Sequence, residues 1–338
     1  MNTLIASGKA SVESLRTPRW KIFGWLLRRE LWEHRGAWMA PAICACIVLC
    51  GAAFGKFEFG HASLEHGAMG AGKTAAMSWT PTAEMALVAL LGIATPFYFV
   101  LLFTQFFYAL SSLHEDRRDR SLLFWKSLPV SDLETVLSKL VLAVLVLPLV
   151  AVGFALATQL AVAVVGAVRA DTLAVQFAAH SSLPAAQLAQ QFLAVLADPR
   201  LWLSTLLLMA QVTVAFALWT LPLAGWGLLV SAAAPRSPVV FAILVPAGFS
   251  LAEGLLLQSH WLASRLAAHA WGALGGLVDA LRTNAREGEL VSGSSALWSA
   301  VTQGARLFAG AELWLGVLVG LLFTAAAVWA RRYRDENT

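Results

Sequence analysis

Charge is what this chain has least of. Asp, Glu, Lys and Arg make up 13% of its 338 residues, about half the share of an ordinary soluble protein. That scarcity excludes a disordered acidic or basic chain and a nucleic-acid-binding tail. Cysteine is also sparse, with three residues in all, so a disulfide scaffold is excluded too. Cys44, Cys46 and Cys50 fall in one apolar run without a fourth ligand and read as small, lipid-compatible side chains. With 25 Gly and 12 Pro there is no collagen-like or low-complexity signature. What is abundant is apolar surface: 59% of the residues are hydrophobic, the composition of a polytopic membrane protein.

A bilayer core about 30 Å thick needs roughly 20 apolar helical residues. Six stretches qualify, at 37–55, 85–113, 136–168, 201–234, 239–257 and 313–330. The third and fourth exceed what a bilayer requires, so tilt or projection beyond it is expected. None alternates as a barrel strand would. The expected fold is therefore all-α, with six transmembrane helices. Pro96, Pro148, Pro222 and Pro246 lie within spans, where kinks or broken segments are expected.

Lys and Arg then set the direction of insertion. Seven precede the first span, four lie between the second and third, Lys139 lies just inside the start of the third, Arg236 follows the fourth, and Arg331, Arg332 and Arg334 follow the sixth; the other side holds eight. The positive-inside bias puts both termini in the cytoplasm, at the cell's inner (plasma) membrane. The net charge of +4 is thus a matter of topology, and no nucleic-acid partner follows from it. Residues 1–15 lack the apolar core of a signal peptide.

Residues 1–36 form a separate amino-terminal segment before the transmembrane domain at 37–338. Within it, 17–36 is predicted to be a helix on the membrane surface. Thr17 can cap it, Pro18 occupies its first turn, and Trp20, Phe23, Leu27 and Leu31 recur at spacings of three and four. Arg28 and Arg29 supply charge for lipid headgroups. The segment 260–311 is too apolar for a free outer loop, and its short runs at 266–278 and 295–309 predict helices that lie on the outer surface or dip part way in.

The loop at 114–135 is the most informative. Asp119 to Leu128 can form a short helix that stops at Pro129, and Ser131 with Glu134 makes a capping box that starts the third span. Leu122, Phe124 and Trp125 are ringed by Arg117, Arg118, Arg120 and Lys126, the mixture that a protein-docking patch uses and that a membrane aromatic belt also shows.

This arrangement resembles the permease subunits of type-2 ABC transporters. The matching pattern is the acid-and-Arg stretch Glu115 to Arg120, then Ser121-Leu122, Leu128-Pro129-Val130-Ser131 and Lys139-Leu140. The resemblance implies a dimer of six-span halves in the bilayer. It also implies that the 114–135 loop is a coupling element, docked through Arg117 to Lys126 on a separate ATPase subunit that holds ATP and Mg. The basic surface helix would be its connecting helix, and the activity that of an exporter.

Other candidates are weaker. Gly67 to Thr74 reads GAMGAGKT and matches a phosphate-binding loop, but the residues before it form no strand and the topology puts it outside the cell. No cofactor of this chain's own is expected. Glu253 is the carboxylate best placed within a span and could line a pathway or simply reach water. Gln105, Gln159 and Gln211 can bond helix to helix or contact substrate. His61 and His66, near Glu58 and Glu65, fit no zinc spacing. No catalytic constellation is found, so the chain is not expected to be an enzyme. Two other classes stay open: an intramembrane enzyme built on Glu253 and the outer histidines, and a membrane assembly or sensor protein of the same architecture.

Overall fold

The computed structural model describes residues 19–55, 82–118, 131–178, 181, 183–272, 275, 301–302 and 304–334. Every regular element among them is a helix. α1 is Arg19–Glu33 and turns at His34 and Arg35 into α2, Gly36–Phe54. Next come α3 (Ala83–Arg118), α4 (Asp132–Val168), α5 (Ala170–Ala178) and α6 (Ala185–Ala197). The chain continues with α7 (Pro199–Ala233), α8 (Pro238–Leu257), α9 at 261–272 and α10 (Ala311–Arg334). Six of these, α2, α3, α4, α7, α8 and α10, are long and apolar enough to cross a membrane. The protein is an all-α, multi-pass membrane protein.

α3, α4 and α7 run 34 to 37 residues, about 50 to 55 Å. They overshoot a 30 Å core, as their sequence lengths predict. α5 and α6 pack against the far ends of α3 and α4, where an apolar cavity of about 140 Å3 is lined by Leu90, Ile93, Val162, Phe177 and Phe192. These two helices were not expected from the sequence, because at 9 and 13 residues both are too short to read as spans.

Helix ends follow local chemistry. The Ser131 hydroxyl accepts the Glu134 amide at 3.2 Å, and the Ser131 amide donates to the Glu134 carboxylate at 2.9 Å. This is the predicted capping box, its Ser131 five residues ahead of the apolar run at 136. Ser131→Ala is expected to lower the unfolding free energy by about 1 kcal/mol, read as a fall in the thermal midpoint in detergent. At the far end Arg169 Nη1 donates to the carbonyls of Ala52 and Ala53 at 3.0 and 3.1 Å, closing the last turn of α2, whose carbonyls have no partner within the helix.

Pro148 has the effect expected of a proline within a span. It has no N–H for the carbonyl four residues back, and the turn just before it, Leu142–Val146, opens into a π-helix. Pro96, Pro222 and Pro246 are held inside continuous helices.

α7 is the central post. Half of its most apolar stretch is buried inside the protein, against 6% for α8. The contact between α7 and α10 is close because both helices carry glycine there: a Cβ on Gly225 would lie 2.5 Å from the Gly320 carbonyl oxygen, and one on Gly320 would lie 2.8 Å from the Leu221 backbone. Only Gly lets two backbones approach this far. Tyr98 reaches across from α3, donating to the Met209 carbonyl at 3.3 Å and meeting the Thr213 hydroxyl at 2.9 Å.

α9 is the far-end helix that the apolar character of 260–311 predicts, though it begins earlier than the 266–278 run. The chain turns into it at Gln258, whose φ of 52° is left-handed. Trp271 stacks on Phe99 of α3 at 5.6 Å, and His269 Nδ1 meets the Trp219 carbonyl of α7 at 3.2 Å. Since Trp219 lies near the middle of α7, α9 dips into the bundle rather than resting on top of it. Arg265 of α9 pairs with Glu312 at the start of α10.

Candidate functional site

Four elements converge at the loop end of the bundle on a chain of buried ionic groups. α1 brings Glu30, α3 brings Tyr108 and Asp116, α4 brings Asp132 and Lys139, and α10 brings Arg331. Lys139, 1% exposed, has Nζ 2.8 Å from Glu30 Oε1, 2.8 Å from the Ser112 carbonyl and 3.2 Å from Asp116 Oδ2. An ammonium has three N–H donors, and all three have acceptors here. The other Glu30 oxygen accepts the Tyr108 hydroxyl at 3.1 Å. Arg331 extends the chain, with Nη1 3.6 Å from Asp116 Oδ2 and Nε 3.0 Å from Asp132 Oδ1. Three carboxylates thus share two cations, and each link joins residues far apart in sequence.

Local pattern explains how the groups come to be buried. On α1 the inward stripe runs through Leu27, Glu30, Leu31 and His34, with Leu27 and Leu31 packed on the core. Glu30 therefore occupies a place in the helix that spacing would give to an apolar residue. Trp20 departs from the expected stripe: it is 71% exposed, beside Trp25 at 60% and Trp32 at 70%. Trp25 and Trp32, seven residues apart, share the outward face of α1, as an interfacial helix presents aromatics to a membrane surface. Phe23 is half-buried, Arg28 is exposed, and Arg29 pairs with Glu33 one turn on at 2.6 Å.

The cluster brackets the loop. Asp116 lies three residues before the segment 119–130 and Asp132 two residues after it, and Arg331 holds both. Arg120, Leu122, Phe124, Trp125 and Lys126 lie outside the described residues, as does the GAMGAGKT motif. Arg117 and Arg118 end α3, and their side chains lie outside the described set.

The remaining predicted residues are placed as follows. Glu253 accepts the backbone amides of Trp261 at 2.8 Å and Leu262 at 2.9 Å, so it caps the first turn of α9. Gln105 Nε2 donates to Thr220 at 3.0 Å, and Gln159 Nε2 to the Leu90 carbonyl at 2.7 Å. Both bonds join helix to helix. The amide oxygens of Gln105, Gln159 and Gln211 are buried without a protein partner. Glu253, Gln105 and Gln159 thus take part in different helix contacts.

Comparison with known proteins identifies no family. No family model matches the chain, and neither a curated protein nor a solved structure matches it.

The site is thus defined by its own chemistry. It holds no nucleophile paired with a base, and no group of three metal-ligating side chains is present among the described residues. Its ion pairs can hold four helices in one arrangement. Charge counting along the sequence makes Lys139 and Arg331 topology charges, and Lys139 also belongs to the pattern that carries the resemblance, but neither use reveals a buried partner. The available signal was that each borders or enters an apolar run, where an unpaired charge is not tolerated.

Proposed function

We propose that this chain is the membrane-spanning permease subunit of an ATP-driven exporter of the type-2 ABC kind. The segment 119–130 docks on a separate cytoplasmic ATPase subunit that binds ATP and Mg. The supporting observation is that one buried cluster grips both ends of that segment through Asp116 and Asp132. A pull on the loop then reaches α1 through Glu30 and α10 through Arg331, so motion of the ATPase is delivered to several helices at once. Such coupling needs two arrangements of the helices with different preferences for the nucleotide-bound ATPase. The nearly unburied α8 supports a second copy of the chain as partner within the bilayer. In this reading the loop end faces the cytoplasm, with both termini, at the inner membrane.

The test is co-purification with an ATPase encoded beside it, followed by ATPase assays with and without this chain. Phe124→Ala combined with Trp125→Ala is expected to weaken the association at least tenfold and to remove the stimulation. Unchanged association and unchanged stimulated rate in that double variant would refute the docking.

A further inference from the structure

The short helices α5 and α6 do not merge with the core of the bundle. Ala170, Ala174, Leu188 and Ala189 form a small core of their own with Phe192 packed on it, whereas Leu90 of α3 belongs to the main core. The cavity of about 140 Å3 is the seam between the two. Contacts on both sides hold it open. The Phe192 ring bears on α4, 3.4 Å from the place a Cβ would take on Gly166. At the end of α6, Trp202 Nε1 of α7 donates to the Leu196 carbonyl at 2.8 Å. Arg169 alone joins α5 to α4 and Asp198 alone joins α6 to α7, so the pair cannot slide inward to close the gap.

The length of α2 gives the depth of this seam. Its 19 residues rise about 28 Å, close to the roughly 30 Å of a hydrocarbon core, so its two ends mark the two faces of the apolar layer. Arg169 meets the far end through the Ala52 and Ala53 carbonyls, and the lining residues Gly166 and Ala170 stand on either side of Arg169. The cavity therefore lies at the far edge of the hydrocarbon layer.

Water has little to hold it there. Among the described lining residues Thr82 alone has a polar side chain, and its hydroxyl accepts the Met85 amide at 3.3 Å; a buried water typically makes about three hydrogen bonds. Left empty, a space of this size forfeits the contacts of every side chain around it. Hydrocarbon fills it without asking for a polar partner. An apolar cavity of about 150 Å3 stays dry and accepts benzene, whereas a drug-sized ligand needs about 300 Å3 or more. The space thus suits one end of an apolar chain, with the rim at Thr82 and Met85, which are both exposed.

We propose that the seam between α3, α4 and the α5–α6 pair binds the end of one alkyl chain. The chain lies against Ile93, Val162, Phe177 and Phe192, and the remainder of its molecule leaves past Met85. Binding needs neither an ATPase nor transport, so this site and the export reading fail separately.

The probe is a pentyl diazirine, photolysed with the full chain in phosphatidylcholine nanodiscs, with insertion located by mass spectrometry. Insertion at Ile93, Val162, Phe177 and Phe192 is expected to saturate as the probe is raised and to fall in excess pentane. Leu160 and Val164 of α4, 54% and 63% exposed, report probe dissolved in the lipid, and insertion there should rise in proportion to the probe. Ala163→Phe puts a ring into the cavity and should lower insertion at the other lining residues roughly tenfold or more, leaving Leu160 and Val164 as they were. Should that variant misfold, competition by pentane on the natural chain still decides.

A lipid tail and a free molecule are the two sources of such a chain, and phosphatidylcholine with a diazirine at the end of one acyl chain separates them. If the lipid supplies it, this reagent labels the cavity residues of the natural chain and not those of Ala163→Phe. If a free molecule does, the reagent labels Leu160 and Val164 alone while pentyl diazirine still saturates the cavity. Both results support the site. Insertion of pentyl diazirine at the cavity residues that rises in step with Leu160 and Val164, or that excess pentane leaves unchanged, would overturn it.

Discussion

Lys139→Met is expected to destabilise the chain by about 3 to 5 kcal/mol, the range for removing one partner of a buried ion pair. The methionine fills much of the same volume, so the loss is electrostatic rather than a cavity effect. What remains is Glu30 and Asp116, both away from water and with no ammonium between them. Arg331 still reaches Asp116 at 3.6 Å, whereas Glu30 is left with the Tyr108 hydroxyl at 3.1 Å and the more distant His34 Nδ1 at 3.8 Å. Thermal unfolding in detergent, followed by the loss of monodisperse protein, measures the effect. Adding Glu30→Gln should recover a large part of it, because the uncompensated charge is then gone. A cycle of the two single variants and the double gives the coupling directly. If Lys139→Met unfolds within about 0.5 kcal/mol of the natural chain, the cluster does not hold the helices as described.

The second large effect is expected at the crossing of α7 and α10. Gly225→Ala places a Cβ 2.5 Å from the Gly320 carbonyl oxygen, and Gly320→Ala places one 2.8 Å from the Leu221 backbone. In both cases the obstructing atoms are backbone and cannot rotate aside, so the helices must separate. Overpacking of this kind costs about 1 to 3 kcal/mol, and a larger side chain such as Val at Gly320 more. Gly248→Ala is the matched control. It too replaces a helical glycine in a span, but nothing lies within 4 Å of the added carbon. Removing a helix-interior glycine there is expected to be neutral or to stabilise by up to about 1 kcal/mol. Equal midpoints for the three alanine variants would remove the case for a close crossing.

The spans were legible because lipid imposes a length and forbids charge over it, and both show directly in the order of residues. The start of α4 could be read more finely, since Ser131 and Glu134 are three apart and their bonds are local. α1 was legible as a helix, but its inward face was not, because Glu30 took the place of an apolar residue in the stripe. That substitution makes sense only once Lys139, 109 residues away, is known to be its partner. The same holds for Asp132 and Arg331, and for Gly225 against Gly320. Spacing of four between Gly316 and Gly320 hints that a helix packs closely, yet not against which neighbour. α5 and α6 escaped notice because, at 9 and 13 residues, they are far shorter than the apolar length that marks a span. Glu253 looked like a group in need of a pathway, but α9, which supplies its two amides, turns back towards it.

α4 has a mechanical consequence of its own. From Asp132 to Val168 it is one element about 55 Å long, interrupted only by the wider turn at Leu142–Val146. Lys139 pins it about 10 Å from the loop end and about 44 Å from the other. Around such a fulcrum a rigid tilt moves the Val168 end roughly four times as far as the Asp132 end. Under the proposed coupling, a small displacement at the loop would become a larger one at the far side of the bundle, less whatever the π turn absorbs by flexing.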